Sequence, residues 1–121
     1  MSRKEDFVSY ISDGYNFKGE SIILGGAILE GEALPNAFIK VPLKTLNRHG
    51  LIAGATGTGK TKTIQVLSEQ LSSFGIPVLM MDIKGDFSGI AMQGEEKSFI
   101  KERHAKINIP YSTTSFPVEL L

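Results

Sequence analysis

Apolar residues recur at helical spacing between Lys60 and Phe74, where they occupy positions 64, 67, 71 and 74. This pattern predicts one amphipathic helix. Gly75 and Pro77 are placed to end it, because glycine adopts the left-handed cap conformation and proline cannot continue a helix. Weaker patterns predict a short apolar-faced helix around residues 7–11 and a polar-faced helix from Glu95 to His104.

Shorter apolar runs predict strands. SIILGGAIL (residues 21–29) and AFIKVPL (residues 37–43) flank the turn-forming EGEALPN, which predicts two strands joined by a loop. Residues 51–53 predict a strand before the main helix and residues 77–81 predict one after it, while 116–121 look like the start of another. PVLMM lacks alternation, as a parallel strand covered on both faces does. The predicted fold class is therefore α/β, with a parallel βαβ unit after a short β-rich segment.

Composition gives limited information about the cellular compartment and the partners of the protein. Thirteen basic and thirteen acidic residues cancel over 121 residues, and there is no cysteine. Disulfides and thiolate metal sites are thereby excluded, and a reducing compartment such as the cytoplasm is expected. The longest apolar run, residues 22–29, falls well short of the roughly 20 residues of a membrane helix, so no membrane partner is expected.

The stretch between the first βα strand and its helix carries the candidate chemistry. Residues 54–61, GATGTGKT, satisfy G-x-x-x-x-G-K-[ST], the phosphate-loop pattern. Glycines at 57 and 59 would let successive N–H groups surround a phosphate, and the following helix would add its positive dipole end. A glycine-rich turn that merely joins strand to helix is the alternative. The predicted cofactor-binding residues are Gly54, Ala55, Thr56, Gly57, Thr58, Gly59, Lys60, Thr61 and Lys62.

Two positions in this loop have distinct predicted roles. Lys60 would reach the β and γ phosphates and stabilise their charge, which makes it the main catalytic candidate. The Thr61 hydroxyl would complete the coordination of magnesium together with phosphate oxygens and waters. The predicted cofactors are therefore ATP, or its product ADP, and Mg²⁺.

Two longer stretches carry a family resemblance. NRHGLIAGATGTGKTKT and MDIKGDFSGIA are more specific than a bare phosphate loop, and with most of the chain they resemble the amino-terminal portion of bacterial HerA-like ATPases of the YjgR type, in the HerA/FtsK superfamily. The resemblance implies a RecA-like phosphate-loop core, assembly as a homo-oligomer, commonly a hexamer, and use of ATP to act on DNA. The predicted domains are a β-rich lead-in at residues 1–47 and the first part of an ATPase domain at 48–121. The resemblance places the Asp-Glu strand end of that domain beyond Leu121.

The aspartates after the second βα strand have two interpretations. Locally, Val78 to Asp82 looks like a Walker B strand, although Ile83 rather than Glu follows it. The family resemblance instead assigns a D-x-x-G-D/E turn near the nucleotide pocket. Asp82 and Asp86 are then secondary catalytic candidates, which either face the metal through water or only fix the Lys84-Gly85 turn by hydrogen bonds.

Other functions remain open at this stage. His49 and His104 lack a partner ligand at metal spacing and are expected to be structural. A small phosphotransferase would use Asp82 as a base but would need an arginine-bearing lid, and only Arg103 follows the loop. A non-catalytic nucleotide-binding module is a further alternative.

Overall fold

The computed structural model describes residues 2–121 and contains helices and a sheet. The helices are α1 (Arg3–Gly14), α2 (Lys60–Ser73) and α3 (Ser98–Ile107), and the strands are β1 (Ser21–Leu29) and β2 (Glu32–Pro42). Short 3₁₀ turns cover Leu43–Thr45 and Ser88–Ala91. The α/β prediction holds at this level. None of the helices in residues 2–121 is both long enough and apolar enough to cross a membrane.

The chain divides into two compact units. The first comprises the residues up to His49 together with Glu96–Ser112, and the second comprises Gly50–Glu95 together with Thr113–Leu121.

An antiparallel hairpin forms the centre of the first unit. β1 pairs with β2 from Ser21↔Pro42 to Leu29↔Glu32. The connection is only Glu30 and Gly31, whose φ angles of 52° and 81° match the tight turn whose twist suits paired strands. The predicted seven-residue loop at 30–36 is therefore wrong.

The turn-forming residues Pro35 and Asn36 lie within β2 instead. The pairing is irregular between Gly26 and Ile28 of β1, and Asn36 has φ 61°. A bulge of this kind absorbs proline and left-handed residues without ending the strand.

Two helices flank the hairpin, and the first is α1. The Ser2 side chain caps its start with Glu5 as the reciprocal partner, which confirms the predicted short helix. α1 packs Phe7, Val8 and Ile11 against a small core of Ala27, Leu34 and Ala37.

The other helix, α3, lies against the hairpin through Ile107. A Cβ on Gly26 would stand 2.7 Å from the Ile107 Cγ2 atom, so glycine is needed there. α3 begins at Ser98, later than predicted.

Helix α2 organises the second unit. It begins at Lys60 as predicted, and its last turn is closed by Gly75, with φ 75°. The Gly75 N–H donates to the Ser72 carbonyl at 2.9 Å, and the Ile76 N–H donates to the Leu71 carbonyl at 3.0 Å. These two bonds form a Schellman cap, so the predicted helix end is confirmed.

The predicted strands of the second unit are not formed. Residues 51–53, 77–81 and 116–121 have no strand ladder, and the only sheet in residues 2–121 is the antiparallel hairpin. The parallel βαβ unit is therefore absent from the described residues. The physical reason is that a strand exists only beside a partner that takes up its N–H and C=O groups. Instead, the Phe116 N–H donates to the carbonyl of Ile90 in the second 3₁₀ turn.

Candidate phosphate-binding loop

The glycine-rich loop reverses the chain directly before α2. Gly57 and Gly59 have φ angles of 81° and 98°, in the left-handed region that side chains disfavour. The sequence prediction for the backbone at these two glycines is therefore confirmed. Gly54 is constrained differently, because a Cβ there would stand 2.5 Å from the Thr58 Oγ1 atom.

Hydrogen bonds inside the loop converge on two carbonyl groups. The Lys60 ammonium donates to the Gly54 carbonyl at 2.6 Å and to the Ala55 carbonyl at 2.9 Å. The Thr58 hydroxyl donates to the Ala55 carbonyl at 2.6 Å, and the Thr58 N–H does so at 3.3 Å. The loop therefore folds back on the Lys60 ammonium, which is held by two carbonyl groups at the surface of the chain.

The start of α2 is electropositive and uncapped. Gly59 is the N-cap and offers no side chain to the first helical amides, and no acidic residue occupies the first turn. The first intrahelical bond runs from the Thr63 N–H to the Gly59 carbonyl at 3.0 Å. The N–H groups of Lys60, Thr61 and Lys62 thus precede any helical acceptor, and this arrangement attracts an anion.

The remaining predicted binding residues lie around this helix start. Ala55, Thr56 and Lys62 are exposed, and Thr61 is half-buried on the first turn. The Thr61 hydroxyl has no hydrogen-bond partner among residues 2–121, which leaves its oxygen free for a ligand. Further along α2, burial raises the pKa of the Glu69 carboxyl and the charge of Lys62 acts against that shift.

Asp82 organises a turn that follows the predicted second strand. Its carboxylate accepts hydrogen bonds from the N–H groups of Gly85 at 2.8 Å, Asp86 at 3.0 Å and Phe87 at 3.0 Å. These bonds, led by the one from Phe87, lower the pKa of Asp82. Gly85, with φ 77°, allows the chain to wrap the carboxylate. We call residues 82–87 the aspartate turn.

The geometry separates the two aspartates that the sequence treated alike. Asp82 fixes the Lys84-Gly85 turn, which is one of the two predicted alternatives. Asp86 lies at the exposed end of the same turn, and its carboxylate accepts no hydrogen bond from residues 2–121. Of these two aspartates, Asp86 is therefore the one whose carboxylate is available for a ligand.

Sequence reasoning missed one residue that joins these parts. The Gln65 side-chain amide on α2 donates to the Asp86 carbonyl at 3.0 Å, which fastens the aspartate turn to the helix. Its spacing of four residues from Thr61 places both side chains on one helix face, and this was the available signal.

The two histidines take no part in the loop. His49 is exposed. The His104 ring packs on Tyr111 with centroids 5.0 Å apart, and its Nδ1 atom is buried with no hydrogen-bond partner in residues 2–121. Within residues 2–121 there is no group of three or more His, Cys, Asp or Glu side chains arranged to hold a metal. A magnesium ion here would thus depend on the Thr61 oxygen and on a bound phosphate, which suits a hard cation.

Comparison with known proteins identifies the family. The model of the family described as helicase HerA-like C-terminal matches residues 28–121. This match covers well over half of the chain, and the chain therefore belongs to the HerA-like family of helicases and ATPases.

Individual relatives agree with the family match. The DNA double-strand break repair helicase HerA of Sulfolobus acidocaldarius is 38% identical over 52 residues, which are 43% of this chain and 10% of that protein. The protein of the same name from Saccharolobus solfataricus matches over the same shares, also at 38% identity. The chain thus covers about a tenth of the length of these curated relatives. No solved structure gives a significant match.

Proposed function

We propose that this chain is the ATP-binding part of a HerA-like ATPase. The observation that carries the proposal is the loop at residues 54–61, which combines left-handed glycines, a lysine ammonium held by loop carbonyl groups and an uncapped helix start. Those features suit a polyphosphate better than any other common ligand, because each supplies positive charge or N–H donors without an opposing carboxylate.

Each residue of the proposed site has a task set by its position. Lys60 exchanges its bonds to the Gly54 and Ala55 carbonyls for the β and γ phosphates of ATP or ADP, and it stabilises their charge. The amides at Gly57 and Gly59 and at the start of α2 hold the phosphate oxygens. The Thr61 hydroxyl, free of protein partners in residues 2–121, ligates Mg²⁺, which neutralises phosphate charge when bound.

The role of the whole protein follows from its relatives and remains part of the proposal. Both curated relatives are named as DNA double-strand break repair helicases, so we infer a helicase or translocase that acts on DNA in the cytoplasm. We also infer a homo-oligomeric ring, commonly a hexamer in this superfamily, and an ATPase domain that begins near residue 48 after a lead-in at 1–47.

A RecA-like parallel sheet is the further structural element of this proposal. Leu79, Met81 and Ile83 are 82%, 87% and 95% exposed, whereas Ile76 and Val78, on the alternate positions, are only about 40% exposed. This period of two is what a strand with one uncovered face would show. We propose that residues 51–53 and 77–81 join a parallel sheet with strands from elsewhere in the full protein.

Titration calorimetry with ATP and Mg²⁺ tests the proposed binding. Lys60→Ala is expected to weaken binding by about 10- to 100-fold, because a charge-assisted hydrogen bond contributes about 1.5–3 kcal/mol. Lys44→Ala, which removes an exposed lysine outside the loop, serves as the matched control and should bind as the parent does. Equal affinities of the Lys60→Ala variant and the parent would reject the phosphate-binding role of the loop.

A further inference from the structure

A side-chain hydrogen bond from Gln65 joins α2 to the aspartate turn. Its amide nitrogen lies 3.0 Å from the carbonyl oxygen of Asp86, and the side chain is half-buried. Among residues 2–121, no other hydrogen bond of Gln65 competes for this amide. The Gln70 amide on the same helix donates to the Val66 carbonyl at 3.5 Å.

The place of Gln65 on the helix defines which side of α2 receives the turn. Thr61 and Gln65 are four residues apart, so their side chains lie on one face, about 6 Å apart along the axis. Side chains on a helix also tilt toward its amino-terminal end. The turn is therefore fastened on the Thr61 face, next to the end of α2 that starts at the glycine-rich loop.

The two carboxylates of the aspartate turn differ in their hydrogen bonds, and this difference makes the attachment to α2 important. The oxygens of Asp82 are occupied by the backbone N–H groups of the turn itself. Asp86 has a carboxylate without a protein partner in residues 2–121, and its backbone carbonyl is the atom that Gln65 holds. Fixing the Asp86 backbone thus fixes the base of the free carboxylate relative to the Thr61 hydroxyl.

We propose that Gln65 is a positioning residue that holds the Asp86 carboxylate on the magnesium side of α2. This inference rests on the proposed ATP and Mg²⁺ site. Asp86 then acts on the Thr61-bound ion through its water ligands, which is the usual manner of a carboxylate near hydrated magnesium. Without the Gln65 amide the turn keeps its internal Asp82 bonds but loses its fixed distance from α2.

The test uses Gln65→Met, which keeps the length and helix propensity of the side chain but removes the donor. The measured quantity is the ratio of ATP affinities with and without Mg²⁺. We expect this ratio to fall by about tenfold, the usual effect of losing an outer-shell partner, while affinity without Mg²⁺ stays unchanged. Gln70→Met on the same helix is the matched control and should keep the parent ratio.

A double-mutant cycle shows whether Gln65 acts through Asp86. If it does, Gln65→Met combined with Asp86→Asn should lower the ratio no further than Asp86→Asn alone. Additive losses would overturn the inference, as would an unchanged ratio in the single variant.

A readout without nucleotide separates this inference from the proposed function. Amide hydrogen exchange at Gly85, Asp86 and Phe87 should become faster in Gln65→Met than in the parent, because the turn opens more often when it is unfastened. Unchanged exchange would show that the link itself is absent. If exchange is faster in Gln65→Met but the parent protein fails to bind ATP, the link exists and the proposed function is rejected, together with the role of the link at that site.

Discussion

At the scale of single residues, Asp82 and Asp86 show that two identical side chains in one turn can have different roles. Both are exposed aspartates four positions apart. Asp82 accepts three backbone N–H groups and so builds the turn, whereas the Asp86 carboxylate has no hydrogen-bond partner among residues 2–121. The sequence motif D-x-x-G-D predicted that both matter, but the choice between metal and turn depended on where the N–H groups of residues 85–87 point. That direction is set by the left-handed Gly85.

Asp82 gives the aspartate turn a definite pH dependence. Hydrogen bonds to its ionised form lower its pKa in the folded chain, so its contribution is fully present above the ordinary aspartate pKa of about 3.9. The contribution is lost as the pH falls through the lower folded value. Amide hydrogen exchange at Gly85 and Phe87, corrected for its intrinsic pH dependence, should show loss of protection only in that acidic range.

The matched variants for this prediction are Asp82→Asn and Asp13→Asn. Asp82→Asn should weaken protection in the aspartate turn at neutral pH and abolish its acid transition, because the amide keeps one acceptor oxygen and no charge. Asp13→Asn, at an exposed position of α1, should leave the turn as it is. An acid transition that persists in Asp82→Asn would assign the effect to another group.

At the scale of elements, the sequence predicted helices better than strands. The cap and stop residues of α2 are local, and both Lys60 and Gly75 lie where the pattern placed them. The hairpin was predicted with the wrong turn, because Pro35 and Asn36 favour a loop by composition but lie in a bulge of β2. Local turn preferences could not reveal that Glu30 and Gly31 already reverse the chain and that pairing continues past the bulge.

Gly75 provides a prediction at this scale. Its φ of 75° is left-handed, and a Cβ built there would meet no atom within 4 Å. Gly75→Ala should therefore destabilise the second unit by about 1–2 kcal/mol from backbone strain alone. Urea unfolding followed by the helical circular dichroism signal should show a lower midpoint with the same slope.

Gly89→Ala is the control for this effect of Gly75. Gly89 lies in the second 3₁₀ turn of the same unit, with a φ outside the left-handed region and open space around it. Its replacement should leave the midpoint near that of the parent. Equal midpoints for Gly75→Ala and Gly89→Ala would contradict the role of Gly75 as the helix cap.

At the scale of the whole molecule, the parallel sheet could not be predicted reliably from local sequence patterns. The apolar runs at 51–53 and 77–81 have the composition of strands, yet Leu51 and Leu79 are 90% and 82% exposed. A strand is a property of a pair, so its formation depends on partners that no local pattern encodes. The glycine-rich loop, by contrast, needs only its own residues and the start of α2, and its backbone was predicted correctly.

The glycine-rich loop forms from local residues whereas the parallel sheet does not, and this difference leads to a prediction about catalysis by these 121 residues. We expect the chain to bind ATP with Mg²⁺ but to hydrolyse it near the background rate, even with duplex DNA. Transfer of a phosphoryl group to water needs an oriented nucleophile in addition to a phosphate cradle. The Asp82 oxygens are committed to the backbone of the aspartate turn, and Asp86 is proposed to act on magnesium through water. We identify no arginine finger, which is worth about 10³ to 10⁵ in rate in such enzymes, among these residues.

Phosphate release by the purified chain measures this directly, with Lys60→Ala as the control for contaminating ATPases. The parent and the variant should release phosphate at the same low rate at protein concentrations that favour assembly. The prediction would be contradicted if the parent turned over about 1 ATP per second, a rate typical of working enzymes, and this turnover disappeared in Lys60→Ala. Repeating the assay with Asp82→Asn and Asp86→Asn would then identify which carboxylate orients the water, because only the catalytic one should abolish turnover while ATP binding persists.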